Sequence, residues 1–549
     1  MIKTCKYSSL ALAVTVSLLT GCGGSSGGTT VTPGTGTTPT TPTTPEQAWE
    51  PGVYEEQSNY VAKCETPRSG TDPFTGTAYP DTQGTAMDEK LWLRTWTNDT
   101  YLWYDEVPDN DPSLYSVLGY FDQLKTTALT TSGTPKDNFH FSSPTQQYNE
   151  LAQSGVSSGY GFEWEFGQTY PPRQLTVRFT EPDSPAALAE IPRGAKLRTI
   201  NGIDFVNNNT QAGVDIINAS LFPSESGTTV DFEFELIDGT TVTTTLTSGD
   251  IDVAPVQNVK ILDTEYGKTG YFQFNTFIRT AQDGLINAFD EFVDNNVTEL
   301  VIDLRYNGGG LLAMASQLSY MVAGPNQTNN AIFETTRFND KTPNTNPITG
   351  SEVRPTPFYS REIDYNAGYL TDTLLPSLSL SRVYVITTGA TCSASEAVMN
   401  ALRGVDVEVV QIGTTTCGKP YGFYPTDNCG ETYFSIQFQG VNNKGFGDYA
   451  DGFMPTTSPV YDFQLPGCIV NDDFSVALGS PEEGMLAAAL HYSATGACPV
   501  AQTSSNVAAM KGTAAHTSEG LLSIVTPNTK KETFILHNKI NQPVFEERQ

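Results

Sequence analysis

The chain has 549 residues, of which 38% are hydrophobic and 17% charged, enough apolar mass for folded cores and too much for wholesale disorder. Its 61 acidic against 30 basic residues give a net charge of −31. With no basic run, it lacks the Lys and Arg that displace counterions from a phosphate backbone, which excludes nucleic acid as a partner.

Residues 1–21 place Lys3 and Lys6 ahead of an apolar run from Leu10 to Leu19, the layout of a secretory signal peptide. The run is too short to span a bilayer comfortably as a helix, and the composition argues against an integral membrane protein. The ending Leu19-Thr20-Gly21-Cys22 resembles a bacterial lipobox. That resemblance implies a diacylglycerol on Cys22, the only hold on a membrane. With Gly23 after it, the resemblance implies an exported lipoprotein of the outer membrane, facing the periplasm or the cell surface. Residues 22–48 are nearly all Gly, Ser, Thr and Pro, a tether that cannot bury apolar area. Gly24-Ser25-Ser26-Gly27-Gly28 spells a nucleophile-elbow string there, but an elbow needs a strand before it and a helix after it.

Six cysteines remain beyond Cys22, an even number that suits disulfides in an exported chain; Cys417 and Cys429, close in sequence, are the first expected pair. Residues 49–155 read as a helical N-terminal region. Trp92, Trp96 and Trp103 fall on one helical face as a core stripe, and Tyr115 to Leu129 suits a second helix. His140, among aromatics, reads as a packed residue. Residues 156–255 switch to strands: Val230, Phe232, Phe234 and Leu236 alternate with polar residues, Asp238-Gly239 turns, and Val242 to Leu246 runs back.

Residues 256–500 alternate strands and helices, an α/β layer pattern. Gly270 to Ile278 and Leu300 to Leu304 read as strands, and Leu285, Ile286, Phe289, Phe292 and Val293 line one face of a helix between them. Val383 to Thr387 is a further strand, followed by a helix from Ala394 to Leu402 and a strand from Val407 to Ile412. The tail, 501–549, is mostly polar, with Thr533 to Leu536 suited to a strand.

Gly413 to Lys419 spells most of a phosphate-binding loop, but Pro420 stands where the Mg²⁺-binding hydroxyl belongs, so no nucleotide is expected. No histidine–cysteine cluster points to a metal, and no cofactor is expected. His491, on an expected helix from Glu482 to Tyr492, reads as surface or packing.

Gly159-Tyr160-Gly161-Phe162, with Ser184-Pro185-Ala186-Ala187 and Arg193 to Gly202 after it, resembles a PDZ domain. The resemblance implies that the backbone of residues 159–162 binds the terminal carboxylate of a peptide, which adds as a strand. Three further strings carry a broader likeness: Asp303-Leu304-Arg305-Tyr306-Asn307-Gly308-Gly309, Ser393-Ala394-Ser395-Glu396 and Gly418-Lys419. In these motifs and their order, residues 88–500 resemble the C-terminal processing (tail-specific) serine peptidases. The fold this implies is multi-domain α+β: a helical N-terminal region, a PDZ-like β domain and an α/β protease core. The implied chemistry is endoproteolysis of protein or peptide substrates, with Ser393 as nucleophile, Lys419 as base, and the N–H groups of Gly309 and Ala394 as oxyanion donors.

The residue types suit that chemistry. A serine hydroxyl needs a base, a helix N-terminus favours negative charge, and a lysine serves as base only when neutral, which burial away from carboxylates promotes. Lys419 has no acidic neighbour in sequence before Asp427. Asp303 and Arg305 read as a buried ion pair bracing the glycine turn. The chain departs from the family pattern in its serine-to-lysine interval, one residue longer than the resemblance implies, and in Phe423, where a lysine-orienting glutamine is common; Gln437 and Gln439 are candidate substitutes. The alternative reading is a catalytically inactive peptide-binding lipoprotein scaffold.

Overall fold

The computed structural model describes residues 49–154, 156–223, 226–265, 267–500, 521–524 and 539–540. The signal segment, Cys22, the tether and the expected Thr533–Leu536 strand lie outside the described residues. Among the described residues, no helix is long and apolar enough to cross a membrane.

The N-terminal region has one long helix, α1 (Ala86–Thr100), opened by a capping box between Thr85 and Asp88. Trp92 and Trp96 stack 5.3 Å apart on its buried face. Trp103 lies beyond the helix end and packs edge-on against Tyr421, so the three-residue stripe is a two-residue one. The expected helix at 115–129 shrinks to Val117–Phe121. Past it, side chains claim the backbone: the Thr126 N–H donates to Tyr101 Oη and the Thr126 hydroxyl to Glu106. The region also holds a ten-residue helix, Thr145–Ser154, three single-turn 3-10 segments and short strands. Strand Phe141–Pro144 pairs with Glu431–Phe434 of the core, and the Cys64–Cys429 disulfide joins the same two parts. His140 packs as expected, buried and stacked 3.8 Å from Phe121.

The middle domain is an antiparallel sheet of β1 (Phe162–Gln168), β2 (Gln174–Thr180), β3 (Lys196–Ile200), β4 (Thr229–Glu235) and β5 (Thr241–Thr247), in the order β5-β4-β3-β2-β1. The β4–β5 hairpin has the register its alternation predicts, with Val242 opposite Phe234. Helix α2 (Gln211–Leu221) buries Ile217 and Leu221 in a core shared with Trp164, Val177, Phe232 and Phe234.

The core carries a seven-stranded sheet. Its strands are β6 (Val256–Thr264), β7 (Gly267–Phe274), β8 (Glu299–Asp303), β10 (Arg382–Thr387), β11 (Glu408–Gly413), β13 (Met454–Thr456) and β14 (Gln464–Ile469), in the order β6-β7-β8-β10-β11-β14-β13. All pairs but β6–β7 are parallel. Two short strands, β9 (Gly310–Leu311) and β12 (Tyr421–Gly422), lie outside it. Helices α3 (Ala281–Asp294), α4 (Leu312–Thr328) and α5 (Ala394–Gly404) cover one face, and α6 (Gly484–Thr495) the other. Successive strand residues alternate between the layers: Ile302 and Val385 face α3–α5, whereas Val301 and Tyr384 face α6. Both faces are covered, which is why these strands read as unbroken apolar runs.

Candidate functional site

Two adjacent parallel strands, β8 and β10, each end in a turn at the same edge of the sheet. The turn after β8 is braced as the sequence predicts, by a buried ion-pair network. Arg305 is fully buried and donates through Nε to Asp303 (2.9 Å) and through Nη1 and Nη2 to Glu483 (2.8 and 2.9 Å). Tyr271 donates to Asp303 (2.7 Å). The turn leads to Gly310 at φ 134°, where an added Cβ would lie 2.4 Å from the Phe277 carbonyl oxygen, so only glycine fits.

The turn after β10 presents Ser393, whose backbone sits at φ 63°, ψ −111°, a region that L residues rarely occupy and that costs free energy to hold. The Ser393 side chain is fully buried, and its hydroxyl has no hydrogen-bond partner. Ala394 opens α5, so its N–H lies in the first turn, where helical donors have no intrahelical acceptor. Lys419 is 1% exposed, with Nζ 4.6 Å from the ring centroids of both Phe139 and Phe423.

Glu396 joins the two. Its fully buried carboxylate accepts the backbone N–H groups of Ser393 (2.9 Å), Gly418 (2.9 Å) and Lys419 (2.8 Å), and the Thr416 hydroxyl (2.5 Å). Desolvation pushes its pKa above the usual carboxylate range, against the pull of these four donors. The fold thus brings a carboxylate to Lys419 that sequence spacing did not anticipate. A second link is covalent: the disulfide joins Cys392 to Cys417, with Cα atoms 5.2 Å apart. This corrects the expected Cys417–Cys429 pair; Cys429 bonds Cys64, and Cys468 bonds Cys498. Closeness in sequence is a poor guide here, because the parallel layout sets Cys392 and Cys417 on neighbouring turns after β10 and β11. Cys392, Glu396 and Cys417 also cluster closely enough for a metal, but their sulfurs are bonded to one another and offer no thiolate.

Gly309 is placed differently from the expectation. Its N–H donates to Asn307 Oδ1 (2.9 Å), and Asn307 Nδ2 is held by the Phe274 carbonyl (2.9 Å), so this donor is engaged within the turn. The Asn307 carbonyl in turn accepts from the Cys392 N–H (3.0 Å) and the Ser395 hydroxyl (2.9 Å), which ties the two turns together.

Of the expected glutamine substitutes, Gln437 accepts the Tyr424 N–H and Gln439 donates to the Gly447 carbonyl. In the middle domain, Gly159 ends a short strand (Val156–Gly159), Phe162 opens β1, and Tyr160-Gly161 form the turn between them. Gly161 is at φ 83°, where a Cβ would meet Ser184, and the Tyr160 side chain is buried in the domain core. His491 is exposed on α6. Sequence reasoning missed three residues: Glu396, quoted only as part of a string; Phe139, contributed by the N-terminal region; and Asn307. A buried-type helix start with an acid three residues after its cap is the one local signal that pointed to Glu396.

The model of peptidase family S41 matches residues 268–425, the stretch that carries both turns and Lys419. These residues form a peptidase family S41 domain. A carboxyl-terminal-processing protease of Picosynechococcus is 29% identical over 178 residues; the match spans 32% of this chain and 41% of the relative's length. Among solved structures, a putative S41 protease from Bacteroides fragilis is 22% identical with a TM-score of 0.54, over 76% of this chain and 98% of that one. The photosystem II D1 C-terminal processing protease is 17% identical with a TM-score of 0.39, over 68% and 92% of the two chains. The Bacteroides likeness shows that the S41 domain sits in an S41 protease-like fold.

Proposed function

We propose that this protein is an exported serine endopeptidase in which Ser393 is the nucleophile and Lys419 its general base. The observation that carries the reading is the Ser393 hydroxyl: buried, without a partner, presented on a strained turn at the start of α5, and tied through Glu396 to the backbone of Lys419. A buried hydroxyl left unpaired is costly, and such costs concentrate where a group is kept for chemistry.

Neutral Lys419 takes the Ser393 proton as Oγ bonds to the substrate carbonyl carbon. The leaving amine receives that proton, an acyl-enzyme remains, and water, deprotonated in the same way, releases the acid. Enclosure between Phe139 and Phe423 has two opposed effects on the amine. It removes water, which disfavours the ammonium, while the ring faces attract a cation. The N–H groups of Ala394 and Gly309 receive the oxyanion, each commonly worth about 3 kcal/mol. Because Asn307 holds the Gly309 N–H, a substrate carbonyl has to displace that bond before both donors serve.

The middle domain acts as a PDZ-like reader, with the backbone of Gly159, Tyr160, Gly161 and Phe162 taking the substrate's terminal carboxylate or gating the site; Tyr160 and Gly161 support this by offering backbone at a sharp turn. Cys22 carries the lipid, and the protein works at the outer membrane on protein or peptide substrates. Phe423 in the glutamine position and the engaged Gly309 N–H favour the second reading, an inactive peptide-binding scaffold.

Cleavage of an unfolded protein, and of one peptide with a free or an amidated C-terminus, tests both. Wild type cleaves, Ser393→Ala does not, and amidation raises KM several-fold. If wild type cuts no faster than Ser393→Ala, the scaffold reading replaces this one.

A further inference from the structure

The chain's own C-terminal segment touches two parts of the molecule, the middle domain and the S41 domain. Residues 521–524 dock on the middle domain. Ile524 is 2% exposed and belongs to that domain's core, and its N–H donates to the Thr169 carbonyl (2.9 Å). The Leu522 N–H donates to Asn209 Oδ1 (2.7 Å), and the Leu522 carbonyl accepts from Arg173 Nη2 (2.7 Å). Arg173 is 1% exposed, and its other donors go to the carbonyls of Thr169, Phe205 and Asn208. Leu522 therefore completes the donor set of a buried cation, which would otherwise keep an unpaired N–H. This is a built site for an extended backbone with one apolar side chain, between the end of β1 and the start of α2.

The second place is the S41 domain. Strand β15 (Lys539–Ile540) pairs in parallel with β9, Lys539 opposite Gly310 and Ile540 opposite Leu311, and also lies against β12. The other edge of this stretch is already used: the Leu311 N–H donates to the Phe277 carbonyl (2.8 Å) and the Phe277 N–H to the Gly309 carbonyl (2.9 Å). The tail thus takes the remaining edge, between the strand that leaves the glycine turn and the strand that follows Lys419.

We infer that residues 521–524 and 539–540 act as an internal peptide ligand: Ile524 anchors one stretch on the middle domain, and Lys539–Ile540 occupy a strand position beside Gly310–Leu311 that a substrate peptide would compete for. The substrate half of this statement rests on the peptidase reading above. Strand addition supplies affinity through main-chain bonds whatever the side chains, so the tail competes with any extended substrate. Tethering raises its effective concentration, so competition is strong even when each contact is weak.

The test uses the full chain with Ile524→Asp, and separately with Lys539→Pro and Ile540→Pro together, since proline cannot donate to a strand ladder. Cleavage of a fluorogenic unfolded peptide is expected to show KM lowered about threefold or more with kcat unchanged. A fluorescein-labelled synthetic peptide of residues 519–549 is expected to bind the Ile524→Asp chain carrying Ser393→Ala, and not the chain carrying Ser393→Ala alone. Variants that keep the wild-type melting curve but leave KM and peptide binding unaltered overturn the inference. If Ile524→Asp unfolds the middle domain, the proline pair decides alone, with the labelled peptide tested on that chain. Should the peptide bind as expected while no form of the protein cleaves, the peptidase reading fails and the docking stands. Cleavage without any peptide binding overturns the docking.

Discussion

The serine turn after β10 and the glycine turn after β8 lie side by side, yet they are held in opposite ways. In the serine turn and the lysine loop beside it, one carboxylate takes four donors and a disulfide spans the gap, while the Ser393 hydroxyl is left bare. In the glycine turn the candidate reacting group itself, the Gly309 N–H, is engaged by Asn307. On the proposed reading, the scaffold of the attacking side is held in advance with the Ser393–Lys419 hydrogen bond still to form, whereas the side that would receive developing charge has to exchange one hydrogen bond for another.

Substitutions test the prepared side most severely. Ser393→Ala and Lys419→Met are each expected to lower kcat/KM about 10³-fold or more, read by cleavage of an unfolded substrate. Glu396→Gln comes next, because it turns an NH2 towards the donors that the carboxylate now accepts. Misplacement of Ser393 relative to Lys419 is expected to cut kcat about 10–100-fold with KM little changed. A raised KM with kcat unchanged would mean that Glu396 serves substrate binding instead. Reduction with dithiothreitol is expected to lower kcat several-fold and reoxidation to restore it. A Cys392→Ala, Cys417→Ala chain starts at the lowered value and should show no further fall, which separates this bond from the other two disulfides.

The smallest effect lies away from both turns. Glu181 in the middle domain is buried, accepts the Ala254 N–H (2.9 Å), and has its pKa pushed up to about 8 by desolvation and by Glu163. Its folded form therefore holds a proton that the unfolded chain releases near pH 4.5. The stabilisation is full below the unfolded value and is lost as pH rises through about 8. Thermal melts of wild type should fall by several degrees across that window relative to Glu181→Gln; parallel curves would contradict the assignment.

Much of this was legible in the sequence, for physical reasons. β8, β10 and β11 are covered on both faces and so announce themselves as apolar runs; of the α3 stripe, Leu285, Phe289 and Phe292 are buried, Ile286 is partly buried and Val293 is exposed. The Asp303–Arg305 brace follows from two charges in such a run. What sequence could not show depends on long-range placement. Cys392 meets Cys417 because neighbouring parallel strands deliver their turns to one edge, and Cys429 is drawn to Cys64 by the strand pairing of Phe141–Pro144. Phe139 reaches Lys419 from about 280 residues away in sequence, beyond any periodicity. The reach of the first helix to Trp103 was over-read because tryptophan spacing reports a face and not where the helix stops.

The central claim, that Ser393 and Lys419 act as one unit, is tested most directly by a double-mutant cycle on kcat for an unfolded substrate. Groups that act together are non-additive, so Ser393→Ala, Lys419→Met and the double variant are predicted to fall to one common floor. A Lys419→Met chain that keeps most of the wild-type rate, or a double variant whose loss is the product of the two single losses, would contradict it.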